Sequence, residues 1–241
     1  AVDALGSDNV IGVALPSKYN TEESLVDARL LAENLDIEFK VIEIEEVVNI
    51  FRNTLKDSVN DELGQTTDEN IQSRVRGNIL MALSNQTGAM VVSTGNKSEM
   101  AVGYSTLYGD LAGGFALLKD LYKTEVYNLA NFRNSISSVI PQNTIDKEPS
   151  AELSPNQFDK DSLPEYELLD EILRMYIEED SSSEKIIAAG IDENVVYDVL
   201  SKVDRNEYKR KQVAPGVKLT EKAFGKDRRM PITNTYIRER G

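Results

Sequence analysis

Residues 89–114 read AMVVSTGNKSEMAVGYSTLYGDLAGG. The apolar run 89–92 stops at Ser93 and gives way to hydroxyls, the Lys97 ammonium, the Glu99 carboxylate and then Tyr108-Gly109-Asp110. A short apolar run bounded in this way reads as a buried strand over 89–93. A helix is predicted to begin near 96–98. The first amides of that helix have no partner within it and face whatever lies at the strand end. The stretch therefore predicts the carboxyl edge of a parallel sheet, the place where open α/β sheets bind ligands.

The same alternation is found upstream. Residues 10–15 (VIGVAL), closed by Pro16, read as a strand, and 37–44 (IEFKVIEI) as a second. Between them Asn20 and Glu23 have capping-box spacing, followed by Leu25, Ala28, Ala32 and Leu35 at helical intervals. Val48, Phe51 and Leu55 mark a second helix, and 61–68 is a polar connection. Ile71, Val75, Ile79, Ala82 and Leu83 mark a third helix, ending near Thr87-Gly88. Strands alternating with helices predict an α/β fold: a doubly wound parallel sheet flanked by helices, Rossmann-like.

Downstream the pattern turns helical. Helices are predicted over 119–133, from Ser162 and Pro164 through Ile177, and over 181–189 and 193–209, with Gly190 as a stop. The segment 142–160, with Pro149 and Pro155, reads as a long loop. Residues 161–211 thus form a C-terminal helical portion and 212–241 a basic tail without periodicity.

Composition narrows the chemistry. The 241 residues contain no Cys and no His, which excludes thiolate nucleophiles, disulfides, imidazole bases and the usual zinc ligands. Carboxylates, Lys, Arg, hydroxyls, backbone amides or a hard ion such as Mg²⁺ must carry any reaction. The absence of Cys fits a reducing cytoplasm, and no apolar run is long enough for a transmembrane helix. Net charge is −14, yet 201–241 holds 12 basic and 5 acidic residues, +7, leaving −21 on 1–200. Such a tail meets an anion or its own acidic body; a nucleic-acid partner is disfavoured because the body repels phosphates.

Several residues could carry chemistry, and each also has a purely structural account. Asn70 and Arg74 share a helix face that could hold an anion or be merely solvated. Thr94 at the strand end could contact a phosphate and Glu99 a Mg²⁺ ion or a ribose; equally, Ser93, Thr94 or Asn96 could cap the helix with Glu99 a surface charge. Tyr104 opens a glycine-bearing loop, 104–114, that permits close backbone approach to a ligand. Lys119 and Lys123 on one helix face suit phosphate. The run 207–211 (EYKRK) complements a helix dipole or clamps a polyphosphate.

Five segments in order, DENIQSRVRGNIL (68–80), STGNKSEMAVGYSTLYGD (93–110), LKDLYKTEVYNLA (118–130), EPSAEL (148–153) and NEYKRKQVAPGVKLTEKAFGKDRRMPIT (206–233), resemble the ammonia-ligating domain of NAD synthetases, nearest the glutamine-dependent branch. The resemblance covers nearly the whole chain, 1–241. It implies an ATP-pyrophosphatase fold of the adenine nucleotide alpha-hydrolase type. It implies adenylation of deamido-NAD by ATP, then displacement of AMP by ammonia, drawn from glutamine or from solution, to give NAD. Carried over by position, it implies ATP contacts at Thr94, Lys123 and Ser150. It implies deamido-NAD contacts at Asn70, Arg74, Glu99, Tyr104, Asp110 and Lys209, with Glu99 and Lys123 at the chemistry and Glu99 the candidate Mg²⁺ ligand. Tyr208 and Leu107 stand where the ammonia-only branch has His and Lys, departures that favour the glutamine-dependent branch.

The resemblance further implies a homodimer. It also implies a first strand with a Ser-Gly-Gly-x-Asp-Ser pyrophosphate loop ahead of a segment like AVDALGSDNVIGVALPS, which here starts at Ala1. No such loop occurs elsewhere in the chain, so the expectation is that this loop and a glutamine amidase domain precede Ala1, and that the chain alone is weakly active or inactive. Two other readings compete: a different ATP-pyrophosphatase-type ligase, which the five motifs disfavour, and a non-catalytic nucleotide-binding module. Formation of NAD from ATP, deamido-NAD and ammonia separates them.

Overall fold

The computed structural model describes residues 1–56, 58–59 and 63–233. In chain order the elements are α1 (Val2–Leu5), β1 (Ile11–Ala14), α2 (Glu22–Asn34), β2 (Glu38–Val41), α3 (Glu45–Lys56) and α4 (Gln65–Thr87). Then come β3 (Val92–Ser93), α5 (Lys97–Val102), β4 (Phe115–Ala116), α6 (Lys123–Ile136) and α7 (Gln142–Asp146). The rest is helical: α8 (Tyr166–Leu173), continued by a π turn over Arg174–Glu178, then α9 (Ser183–Ala188), α10 (Glu193–Arg205) and α11 (Glu207–Arg210). The chain divides into two compact units, Ala1–Arg76 with Tyr127–Ser162, and Gly77–Val126 with Leu163–Gly241.

The first unit contains β1 and β2, paired parallel with Ile11 opposite Glu38 and Ala14 opposite Val41. Parallel pairing requires a crossover, and α2 supplies it. The cap of α2 is Thr21, whose Oγ1 accepts the Ser24 N–H, rather than the expected Asn20. Asn20 is drawn off because its Oδ1 accepts the Ser17 N–H and its Nδ2 donates to Glu152. Ile44, Val48, Ile71 and Val75 are buried in this unit. The expected 142–160 loop is partly helical: Pro141 precedes α7, where Gln142 Nε2 donates to Asp146 Oδ1. The polar connection expected over 61–68 ends early, since α4 already begins at Gln65; its residues 61 and 62 lie outside the described residues.

Arg52 on α3 makes a bidentate pair with Asp68 on α4, Nε to Oδ1 at 2.5 Å and Nη2 to Oδ2 at 2.9 Å, and also donates to Glu45 at 2.8 Å. The hydrogen bond from Arg52 holds the Asp68 carboxyl below its usual range. A carboxyl lowered on folding stabilises the protein above its unfolded value, near 3.9, and the contribution is lost as pH falls through the folded value. Urea unfolding of wild type and Arg52→Met should therefore differ most near neutrality and converge as pH falls through the lowered folded value of Asp68.

In the second unit β3 pairs parallel with β4, Val92 opposite Phe115 and Ser93 opposite Ala116. Each has two residues: β3 is shorter than the strand expected over 89–93, and β4 has no counterpart among the expected strands. The core is formed by Leu169, Ile172 and Leu173 of α8 with Val196, Val199, Leu200 and Val203 of α10. The α10 positions recur at helical spacing, and Asp192 caps the helix by accepting the Asn194 and Val195 N–H groups. The helix expected over 193–209 breaks at Asn206, whose Nδ2 donates to the carbonyls of Val102 and Lys202. Helix α8 starts at Tyr166, not Ser162, because Pro164 disfavours helical backbone just before it. Helix α6 starts at Lys123, not at residue 119, so Lys119 stands outside it and donates to the Ala214 carbonyl.

Asn206 also explains Gly103, the left-handed C-cap of α5 at φ 73°. A Cβ at that position would run into the Asn206 side chain. Gly103→Ala should cost about 1–2 kcal/mol for the backbone alone, with the collision added, read as a lowered urea midpoint.

Some cations of the basic tail are paired within the chain. Lys222 pairs with Asp180, Lys218 with Asp227 at 2.8 Å, and Arg228 lies over the Tyr176 ring at 4.2 Å. Tail residues 234–241 lie outside the described residues. No helix among the described residues is long and apolar enough to cross a membrane.

Candidate active site

Strand β3 ends at Ser93, and Thr94 follows it, exposed. Helix α5 then begins with a capping box: Asn96 Oδ1 accepts the Glu99 N–H at 3.0 Å and Glu99 Oε2 accepts the Asn96 N–H at 3.1 Å. The two structural and functional accounts of this segment thus meet in one residue. One oxygen of Glu99 caps the helix, while Oε1 faces Lys123 Nζ at 3.3 Å. Both side chains are about one-fifth exposed, partly desolvated yet open to a ligand. Lys123 opens α6, its N–H donates to Ser98 Oγ at 2.9 Å, and its ammonium lies 5.3 Å from the Tyr166 ring centroid.

Lys97, the other ammonium of the opening stretch, is turned the opposite way. It is fully buried, paired with Asp120 at 3.0 Å and Glu178 at 3.1 Å, and donates to Thr220 Oγ1 at 2.5 Å. Its place is in the core rather than at the site.

A second cluster lies at the C-terminal end of α5. Asp110 Oδ1 accepts the Thr106 N–H at 2.6 Å, which folds the 106–110 turn. Lys209 on α11 donates to the carbonyls of Gly103 at 2.6 Å and Ser105 at 2.7 Å. Burial pushes the Lys209 ammonium down, opposed by the Asp110 carboxylate. An ammonium has three donors, and among the described residues these two carbonyls take two of them. Asp110 also feels Glu99, which puts the two clusters in one electrostatic field. Tyr104, half-buried, packs on the helical core, and the loop it opens is tied down rather than loose. Gly77 of α4 admits the backbone of that loop, since a Cβ there would stand 2.9 Å from the Tyr108 carbonyl.

A cleft of about 280 Å³ is lined by Asn78, Met81, Leu107, Tyr108, Leu111 and Gln212, among others. Of the positions singled out from sequence it takes Leu107, not Glu99 or Lys123.

The remaining candidates belong to the first unit. Asn70, half-buried, and Arg74, exposed, stand one turn apart on α4, while Arg76 donates to the Leu15 carbonyl at 2.9 Å. Ser150 Oγ donates to the Gln157 carbonyl at 2.5 Å and accepts the Glu152 N–H at 3.0 Å. Its hydroxyl closes the 150–157 loop. Sequence reading missed Ser98, Tyr166 and Asp170 around Lys123. The signal available was the i, i+4 spacing of Tyr166 and Asp170.

No group of three or more carboxylates that could cage a metal exists among the described residues. Mg²⁺ is commonly held by one or two carboxylates plus substrate phosphates, and Glu99 fits that arrangement.

Residues 1–213 match the family model described as NAD synthase. The chain is 53% identical, over 238 residues, to a glutamine-dependent NAD(+) synthetase of Aquifex aeolicus, covering 99% of this chain and 42% of that protein. It matches the structure of glutamine-dependent NAD+ synthetase from Acinetobacter baumannii in complex with ADP, at 47% identity and TM-score 0.61, over 96% of this chain and 42% of that one. It also matches NMN synthetase from Francisella tularensis at 27% identity and TM-score 0.70, over 87% of this chain and 77% of that one. The chain therefore spans less than half the length of the glutamine-dependent relatives it matches. With its parallel strands, its capped helix behind β3 and a family match over most of its length, the chain belongs to the NAD synthase family.

Proposed function

We propose that this chain is the ligase portion of an NAD synthetase: with ATP it adenylates the nicotinate carboxylate of deamido-NAD, and ammonia then displaces AMP to give NAD. The observation that carries the reading is the Glu99–Lys123 pair at the carboxyl edge of β3, within a family match over residues 1–213.

In the first step a carboxylate oxygen attacks the α-phosphorus and pyrophosphate leaves. In the second, ammonia attacks the acyl carbon, the acyl–oxygen bond breaks, and AMP leaves. Both steps require positioning and charge stabilisation more than proton transfer by a His or Cys. Lys123 neutralises a phosphate oxygen, with Thr94 and Ser150 as further ATP contacts. Asn70, Arg74, Tyr104, Asp110 and Lys209 hold deamido-NAD. Glu99 either ligates Mg²⁺ or contacts the dinucleotide. Bound Mg²⁺ would neutralise phosphate charge.

Glutamine as nitrogen source, through an amidase segment, is supported by the length and names of the relatives. A homodimer and a cytoplasmic location belong to the same proposal. The test is to incubate the full-length protein with ATP, Mg²⁺, deamido-NAD and either ammonia or glutamine, following NAD and pyrophosphate. Equimolar NAD, AMP and pyrophosphate is the expected result. Amidation of the mononucleotide but not the dinucleotide, or neither, overturns it.

A further inference from the structure

The helix end that carries Lys123 is held by side chains from two other helices. Ser98 Oγ of α5 accepts the Lys123 N–H at 2.9 Å, and Asp170 Oδ2 of α8 accepts the Thr124 N–H at 2.9 Å. The Ser98 hydroxyl in turn donates to Asp170 Oδ1 at 2.5 Å. The first amides of a helix need partners from outside, and here a fully buried Ser98 and Asp170 supply two of them.

One turn before Asp170 on the same helix stands Tyr166, whose ring lies 5.3 Å from Lys123 Nζ. Residues at i and i+4 share a helix face. One face of α8 therefore meets Lys123 twice, at its backbone through Asp170 and Ser98 and at its ammonium through the Tyr166 ring. Ser98 also precedes Glu99, so the same hydroxyl sets α5 against α6 and the Glu99 carboxylate against Lys123. A buried carboxylate is a poor device for stability alone, since apolar replacements serve as well or better. What it does provide is direction.

We infer that Tyr166 and Asp170 are positioning residues for Lys123, Tyr166 fixing where the ammonium stands and Asp170 fixing the helix end that carries it. The inference rests on the proposed ATP role of Lys123. Neither residue touches the reacting atoms.

The test uses the full-length protein and two readouts. In steady-state assays Tyr166→Phe should keep kcat/KM for ATP within about twofold, while Tyr166→Leu lowers it about 3- to 30-fold with KM for deamido-NAD unchanged. Asp170→Asn should lower kcat about tenfold or more, and Ser98→Thr should retain more activity than Ser98→Ala. The second readout needs no activity. After reductive ¹³C-methylation, the lysine signal that Lys123→Arg removes should be ring-current shifted in wild type and Tyr166→Phe, and unshifted in Tyr166→Leu. If Tyr166→Leu does not fold, loss of the shift in Asp170→Asn decides in favour. A Lys123 signal at the ordinary lysine position in wild type, or unchanged ATP kinetics in a folded Tyr166→Leu, overturns the inference. Absence of NAD formation by wild type instead overturns the proposed function, and the shift still tests the geometry.

Discussion

Replacing Lys97 by methionine should cost about 3–5 kcal/mol of stability, the range for removing one partner from a buried ion pair. Lys97 is fully buried and its ammonium reaches Asp120, Glu178, Thr220 Oγ1 and the Lys222 carbonyl. Its charge also lies 5.0 Å from the centre of the buried Tyr122 ring. Burial pushes the Asp120 carboxyl up, but the amides of Thr220 and Leu219, then Lys97, then the Thr220 hydroxyl, hold it below its usual range. That carboxylate is 2% exposed and stays charged because these donors surround it. Methionine matches the length of the lysine stem but leaves Asp120 without its cation. The melting temperature should fall by about 6–20 °C. A Lys97→Met, Asp120→Asn double variant should recover part of the loss, because the orphaned charge is gone. Equal stability of Lys97→Met and wild type in urea would show that the network contributes nothing net.

Removing the Lys123 ammonium should have the largest effect on activity. Lys123→Ala should lower kcat/KM for ATP about 10²- to 10³-fold, the scale of deleting one preorganised donor to developing charge. The backbone N–H of residue 123 remains to meet Ser98, so the fold should hold and circular dichroism should be unchanged. Glu99→Gln is the companion variant. Gln can still fill the capping box, so the substitution removes charge while keeping α5, and a loss of about tenfold or more is expected. Relief by excess Mg²⁺ assigns Glu99 to the metal, and a raised KM for deamido-NAD assigns it to the dinucleotide. Retention of full activity by both variants would remove the pair from the chemistry.

The two residues of this pair were read from sequence by different means. Glu99 was weighed from its place just behind a strand end, with Asn96 as one of three candidate caps, and the structure makes Asn96 the cap with Glu99 as its capping-box partner. Lys123 rested on resemblance, because one lysine on a helix is usually solvated. The helical register of α10 was legible because Val196, Val199, Leu200 and Val203 repeat every three or four residues. Strand β4 was not legible, being two residues long beside two glycines.

What the sequence determined alone is what short-range physics governs. The alternation of apolar runs and helical stripes produced the parallel α/β class, and cap residues and glycines placed most helix ends within a few residues. The lack of His and Cys restricted the chemistry of this chain to carboxylates, lysine, arginine, hydroxyls, backbone amides or a hard metal ion. Tertiary structure decided which of two neighbouring charges serves which purpose. Lys97 and Glu99 are two residues apart, yet one points into the core and the other toward Lys123. The difference is made by Asp120, Glu178 and Thr220 on one side and by Lys123 on the other. Those partners lie between about twenty and more than a hundred residues along the chain, and only packing brings their charges within reach of one another.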